Sequence, residues 1–459
     1  MTVDDRRRVL EPGAVALAGD RIAYVGDPAG APAAARTVDC SGMAVMPGFV
    51  DCHNHLFQTL ARGLGEGLSL WPWLCDFMWP FAASITPAEA VAGATLASLE
   101  AVRSGTTTVL DNHYSPVDLD TTTAVADAIE RVGLRGVVAR GMFGDSTPVA
   151  REHGLAESLF RYSAGDEIAI TREAAAGRPE ASRVVVWPAP INVIYNDQDL
   201  VRDGIALARE LGTGWHTHCS EAQADPEIYL EAYGIRPIDW LYEEGLLGGG
   251  ATIAHGIWLD DNEVERVGET ATGISHNPTS NETLASGVIR LGDLRSAGAV
   301  VAMGTDGGAA GHRQDMFEEL KCTMMLQRVS ELDPTSTPAE VALEMATREG
   351  ARYLGIDAGA LEEGRLADVV VVDLQKPHLR PLHRVVSTLA YAARGSDVAM
   401  TIVGGDVVYE DGRSTLVDEA EVMAEAQARA EELVERAGLS GLRTPWTMRP
   451  DPAKGPATS

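Results

Sequence analysis

Two histidines one residue apart, His53 and His55, close the run "MPGFVDCHNHLFQ". That spacing suits a metal ion, because residues i and i+2 of an extended strand face the same side and both imidazoles can reach one centre. A second pair, His216 and His218, stands in "WHTHCSE". Then come His255 in "IAHG", His276 in "SHNP" and Asp306 in "GTDGG", each after a short apolar run. Neutral imidazole is a common ligand for zinc and for iron. Three imidazoles and a carboxylate leave a position open for water, as a catalytic centre requires. Only one of His216 and His218 is needed, and the pair shares a face. His113, ending "VLDNHY", either lines a pocket or makes a structural hydrogen bond. His153, His378 and His383 lie outside the pattern and read as surface or loop residues.

These side chains need strands to deliver them. Eight short β-branched runs read as strands, near 44–52, 105–111, 134–141, 183–189, 213–219, 251–256, 271–276 and 298–305. Amphipathic stretches at 87–103, 119–132, 199–211, 225–246 and 312–331 lie between them and read as helices. Alternation of this kind implies a parallel sheet with helical crossovers. Eight units predict an α/β fold, a closed (β/α)8 TIM barrel, whose strands present functional side chains at their C-terminal ends. Six of the eleven histidines fall at such ends, on one expected face.

The flanks read as short strands and turns, "GAVALAGDRIAYVGD" before the barrel, then "GALEEGRLADVVVVDL" and "VAMTIVGGDVVYEDGR" after it. The expected organisation is residues 1–47 and 360–417 forming a small β-sandwich, 48–359 forming the barrel, and 418–459 forming a terminal helix and tail. Residues 418–438 combine good helix formers, a helical apolar period and a glycine stop. The Pro-rich, polar tail after 440 is expected to wrap the surface or to be disordered.

With 459 residues, 45% of them hydrophobic, the chain can bury a large core. Its net charge, 37 − 67 = −30, repels phosphate backbones and anionic membranes, so no nucleic-acid or membrane partner is expected. The start, "MTVDDRRRVLEPG", carries no apolar signal core, and the five scattered cysteines do not suggest a disulfide framework. A reducing cytoplasm is the simplest location. The acidic surface and a long aromatic segment fit a homodimer or higher homo-oligomer.

That segment, residues 56–80, reads "LFQTLARGLGEGLSLWPWLCDFMWP". Trp71, Trp73 and Trp79 fall within nine residues, with Phe57 and Phe77 nearby, in a chain only 5% aromatic. Aromatic faces stack on flat rings, although the same residues could pack a helix on the barrel or form a dimer contact. Gln58 offers both a donor and an acceptor to an amide-like ring edge. Arg62 could read a carbonyl or pair with Glu66, and Asn192, in "PAPINVIY", is a further candidate.

"PGFVDCHNH", "HTHCSE", "IAHG", "SHNPTSN" and "GTDGG", in that order, resemble the strand-end signatures of the amidohydrolase superfamily, and "LEEGRLADVVVVD" resembles its C-terminal β-sandwich. The pattern is most similar to the mononuclear branch that deaminates or dechlorinates nitrogen heterocycles. The resemblance implies one divalent ion, zinc or alternatively iron, on His53, His55, His218 and Asp306. The His-x-x-Glu pattern selects His218 over His216 and makes Glu221 the proton shuttle. His255 would stabilise charge on the new oxygen, and Asp306 would pass a proton to the departing amine. Gln58 resembles the position that guanine and 8-oxoguanine deaminases use. Binuclear relatives bridge two metals with a carbamylated barrel lysine. This chain has no lysine before Lys321, so strands one to seven cannot supply one.

Two departures stand out. Relatives often have an extra apolar strand before the "MTVDD" region, so either the true start lies upstream or the sandwich lacks a strand. Where many carry a serine-asparagine pair after "GTDGG", this chain reads "AAGHRQD", with Gly311 and His312.

The implied activity is hydrolytic deamination of an amino-substituted heterocycle such as a purine or pterin, by metal-activated hydroxide and with loss of ammonia. One alternative is a chlorohydrolase or alkylaminohydrolase of s-triazines using the same groups. Another is a non-catalytic scaffold on the same fold, which would typically lack the ligands. No phosphate-binding P-loop, G-x-S-x-G elbow or P-C-x-x-C motif supports another enzyme class.

Overall fold

The computed structural model describes residues 1–443, so most of the polar tail lies outside the described residues. The chain opens with an antiparallel hairpin, β1 (Ala14–Ala18) and β2 (Arg21–Gly26). Next comes β3 (Met43–Pro47), followed after Gly48 by β4 (Phe49–Asn54). The run expected as one strand at 44–52 is therefore two. The break falls where Gly48 passes Thr107 so closely that a Cβ would sit 2.1 Å from its methyl carbon. β3 turns outward to pair with a late flank strand, while β4 enters the barrel.

Seven further parallel strands follow, β5 (Thr106–His113), β6 (Arg135–Met142), β7 (Val184–Pro190), β8 (Trp215–Cys219), β9 (Ala251–His255), β10 (Gly273–His276) and β11 (Val300–Met303). They form two four-stranded parallel sheets, β4-β5-β6-β7 and β8-β9-β10-β11. Both seams between the halves close at the C-terminal ends. His218 and Ile191 bond through their backbones at 3.2 Å, and the Asp306 amide donates to the His53 carbonyl at 2.9 Å. This is the expected (β/α)8 barrel, stitched together by residues that also carry the site.

Local chemistry sets the helix limits. Pro87–Arg103 starts on a capping box between Thr86 and Glu89. Leu119–Val132 starts on Asp118 and stops at Gly133, whose φ of 100° ends the helix. The helix expected at 225–246 is instead two, Asp225–Tyr233 and Pro237–Glu243. Left-handed Gly234 stops the first, and Pro237 begins the second.

The late flank supplies β12 (Val369–Asp373), β13 (Val398–Val403), β14 (Asp406–Glu410) and β15 (Arg413–Ser414). With β3 they form an antiparallel sheet ordered β15-β14-β13-β12-β3. Ile22 of the hairpin is buried with Leu361, Ala367 and Val369, so hairpin and sheet share a small sandwich core. The terminal helix Glu419–Arg436 begins at Asp418, which accepts the amides of Ala420 and Glu421. No helix among the described residues is long and apolar enough to cross a membrane.

Candidate metal centre and active site

His53 belongs to β4, and His55 stands just past its end. His216 and His218 are in β8, and His255 and His276 end β9 and β10. Asp306 follows β11. His255 (φ 72°) and Asp306 (φ 58°) adopt left-handed backbone, as does Ser220 (φ 52°) immediately before Glu221. Such conformations cost energy in residues with a Cβ and persist where the surroundings enforce them. Here they turn the chain sharply off β8, β9 and β11, three strands of one sheet, and bring the side chains inward.

The imidazoles converge. The Nε2 atoms of His55 and His218 are 3.2 Å apart, and Asp306 Oδ1 lies 3.5 Å from His55 Nε2 and 3.6 Å from His53 Nε2. Donor atoms of His53, His55 and Asp306 fall within 4.8 Å of one another, as do those of His53, His218 and His255.

Hydrogen bonds behind each ring decide which nitrogen is free. His55 Nδ1 donates to the Asn112 carbonyl at 2.6 Å, and His218 Nδ1 donates to that of Ile191 at 2.7 Å. Both therefore present a bare Nε2. For His53 a relay does the same work. Thr252 donates its hydroxyl to the Trp215 carbonyl, so its oxygen accepts from His216 Nδ1 at 2.9 Å. His216 Nε2 then accepts from His53 Nδ1 at 2.9 Å. His53 Nε2 is left as a buried lone pair without a protein partner. His216 thus stands behind His53, and His218 faces the cluster.

His255 differs. The Asn281 amide donates to its Nδ1 at 2.9 Å, so its Nε2 carries the proton. That N–H is 3.4 Å from Glu221 Oε2 and 3.8 Å from Asp306 Oδ2. In this state His255 holds its Nε2–H beside two carboxyls and cannot also offer Nε2 to a metal. With His255 set aside in this state, the donors that could hold a divalent ion are His53, His55, His218 and Asp306.

Burial sets the protonation states. It pushes His53 and His218 well below the usual imidazole value, reinforced by neighbouring rings, and it lowers His55 as well. These rings are neutral at pH 7, as ligands must be. Burial takes His255 down to about 4. Glu221 moves the other way, well above the usual carboxyl range, through burial and then the nearby Asp306 and Asp225. It can hold a proton near neutrality.

A pocket opens above the cluster. Among its lining residues are Gln58, Leu70, Trp73, Leu74, Trp79 and Tyr114, and opposite them Asn192, Tyr195, Ser280 and Leu284. Of the expected substrate contacts, Gln58, Trp73 and Asn192 are in this wall. The other four are not. Phe57 is fully buried, packed on His113 and Tyr114. Arg62 is ion-paired with Glu100 on the outer side, not with Glu66. Trp71 lies behind the wall and donates its indole N–H to Asp225 at 3.2 Å. His113 is buried, and its two ring nitrogens have no hydrogen-bond partner among the described residues, which leaves neither expected role in place.

Tyr114 and Tyr195 were not anticipated. Tyr114 could have been found from alternation. Next to a strand-end residue facing one side, the neighbour faces the other. Tyr195 has no such signal, because it sits in the irregular stretch after β7. Gln58 Nε2 donates to the Tyr114 hydroxyl at 2.8 Å, and its Oε1 is buried and unpaired.

Residues 44–408 match the family model described as the Amidohydrolase family. The chain is 34% identical over 426 residues to a 5'-deoxyadenosine deaminase of Methanobrevibacter smithii, covering 92% of this chain and 94% of the relative. It is 36% identical over 416 residues to a 5-methylthioadenosine/S-adenosylhomocysteine deaminase of Natronomonas pharaonis, covering 91% and 92%. A crystal structure of an adenosine deaminase from Xanthomonas campestris with bound zinc superposes with a TM-score of 0.87 at 29% identity, covering 95% of this chain and 97% of the other.

Proposed function

The chain belongs to the amidohydrolase family, and from that premise we propose that it is a metal-dependent hydrolase that deaminates an amino-substituted, purine-like nitrogen heterocycle. The observation that carries this reading is the lone pair on His53 Nε2, buried, without a protein partner and facing His55, His218 and Asp306. An unpaired buried polar atom is costly, and a cation bound there removes the cost.

His53, His55, His218 and Asp306 would hold the ion, and zinc is the ion we assign. When bound, such an ion is a Lewis acid that lowers the pKa of water toward about 7. The protein does the rest. Glu221 holds a proton on its buried carboxyl, gives it to the ring nitrogen beside the carbon under attack, and takes back the proton of the newly added hydroxyl as the amine leaves. His255 donates its Nε2–H toward the oxygen on which negative charge develops. Asp306 accepts a proton at Oδ2 and returns it to the departing amine, which leaves as ammonia. Leu70, Trp73 and Trp79 limit access of bulk water, which strengthens each of these interactions.

The wall above the metal consists of neutral groups, with aromatic and aliphatic surfaces and the amide and hydroxyl groups of Gln58, Asn192, Tyr114, Tyr195 and Ser280. Such a lining suits a flat, uncharged ring read along its edge. The test is a panel of amino-substituted purines, pterins, adenosine-type nucleosides and chlorotriazines, assayed for ammonia and for chloride with the zinc-loaded protein. Ammonia release from a purine or related ring supports the reading. Chloride release without ammonia would replace it with the triazine alternative, and no turnover of any ring would remove it.

A further inference from the structure

We propose that Asp225 is a positioning residue that ties the aromatic roof of the pocket to the loop carrying Glu221, so that seating the roof and placing that carboxyl are one event. The inference rests on Glu221 being the proton carrier and adds a residue that acts through it.

Asp225 is 1% exposed. Its Oδ2 accepts the backbone N–H groups of Glu221 at 3.0 Å and Ala222 at 2.9 Å. Its Oδ1 accepts the indole N–H of Trp71 at 3.2 Å, from 154 residues away in the chain. The carboxyl therefore holds three neutral donors deep in the protein. Asp225 begins the helix Asp225–Tyr233, yet its side chain turns back to the amides of Glu221 and Ala222, upstream of the helix, and does not cap the helix's own amides. Helix capping thus does not account for it.

Both partners need holding. Glu221 follows Ser220, whose left-handed backbone forms a strained corner. Trp71 lies in a segment that follows Gly63, Gly65 and Gly67, all with φ between 74° and 83°. Its ring meets Trp79 edge-on at 6.1 Å and Tyr195 at 6.5 Å, and both of those line the pocket. A shift of the roof that moved Trp71 would leave the Asp225 carboxylate with an unmet acceptor and slacken its hold on the Glu221 amide.

Trp71→Phe keeps an aromatic ring and removes only the N–H, so it is the variant of choice, with Asp225→Asn beside it. Two readouts are taken on the full, zinc-loaded chain: hydrogen–deuterium exchange of the peptide containing residues 220–224, and steady-state kinetics normalised to bound zinc on the best ring from the panel. Exchange at Glu221 and Ala222 should speed up about tenfold in Trp71→Phe, roughly the effect of one hydrogen bond to a charged acceptor. kcat should fall by a similar factor while KM stays within about twofold, and the double variant should be no worse than Asp225→Asn alone. Unchanged exchange in Trp71→Phe would overturn the tie, as would an effect confined to KM. Should the wild-type chain turn over no ring, the deaminase reading fails, and so does the positioning role. Exchange then decides the structural tie separately.

Discussion

At the mouth of the barrel, two metal-facing imidazoles are held by backbone carbonyls, His55 by Asn112 and His218 by Ile191. The roof over them is held differently. Residues 63–79 include three left-handed glycines and pack ring against ring, Trp71 on Trp79 and Trp73 on Phe77, with a π-helical turn at Leu74–Met78. The cluster borrows the rigidity of the parallel strands, whereas the roof depends on side chains that can repack. On the proposed reading the strands fix the chemistry, and the roof, joined to it through Trp71 and Asp225, would select the ring.

If that contrast is right, damage to the cluster should abolish the reaction, and damage to the roof away from the Trp71–Asp225 tie should alter affinity. The largest effect is expected from His218→Ala, which removes a ligand on one barrel seam. Bound zinc measured by elemental analysis should drop well below one per chain, and turnover should fall by about 10⁴-fold or more. Glu221→Gln comes next. It should retain zinc and lose turnover by about 10²- to 10⁴-fold, the range for a missing general acid–base group. Near-normal rates in that variant would take Glu221 out of the mechanism. For the roof, Trp73→Ala should raise KM by roughly 30-fold through lost stacking, with zinc content unchanged. Loss of zinc in this variant would show that the two regions are not separate.

The smallest effect concerns His276, a buried cluster neighbour whose pKa burial lowers to about 3, without hydrogen-bond partners among the described residues. Below its unfolded value of about 6.5 the unfolded chain takes up a proton that the native ring refuses, so this residue lowers native stability as pH falls through that window. His276→Asn removes the penalty. Between about pH 7.5 and about pH 5.5 the variant should gain about 1 kcal/mol relative to wild type in chemical denaturation. A constant difference across that range would mean that His276 is solvated or paired.

The same contrast explains what could be read in advance. Barrel strands repeat, and alternation places His53 beside His55 and His216 beside His218, so the cluster was legible from spacing. The split at Gly48 was not, because "AVMPGFVDC" is apolar on both sides of Gly48 and only the close passage of Thr107 divides it. The role of His216 was also hidden, since period-two spacing cannot say which ring stands in front. In the roof, an aromatic run has no period that separates wall from packing. Trp73 and Trp79 line the pocket while Trp71, two residues before Trp73, turns to Asp225. Arg62 was misplaced because its partner, Glu100, comes from the helix Pro87–Arg103, far along the chain.

The central claim is that one cation belongs between the side chains of His53, His55, His218 and Asp306. A crystal of the zinc-loaded protein, with anomalous diffraction measured at the zinc edge, tests it directly. A single peak within bonding distance of those four side chains is the expected result. Two peaks, or one peak coordinated by His255 or lying away from the barrel mouth, would contradict it.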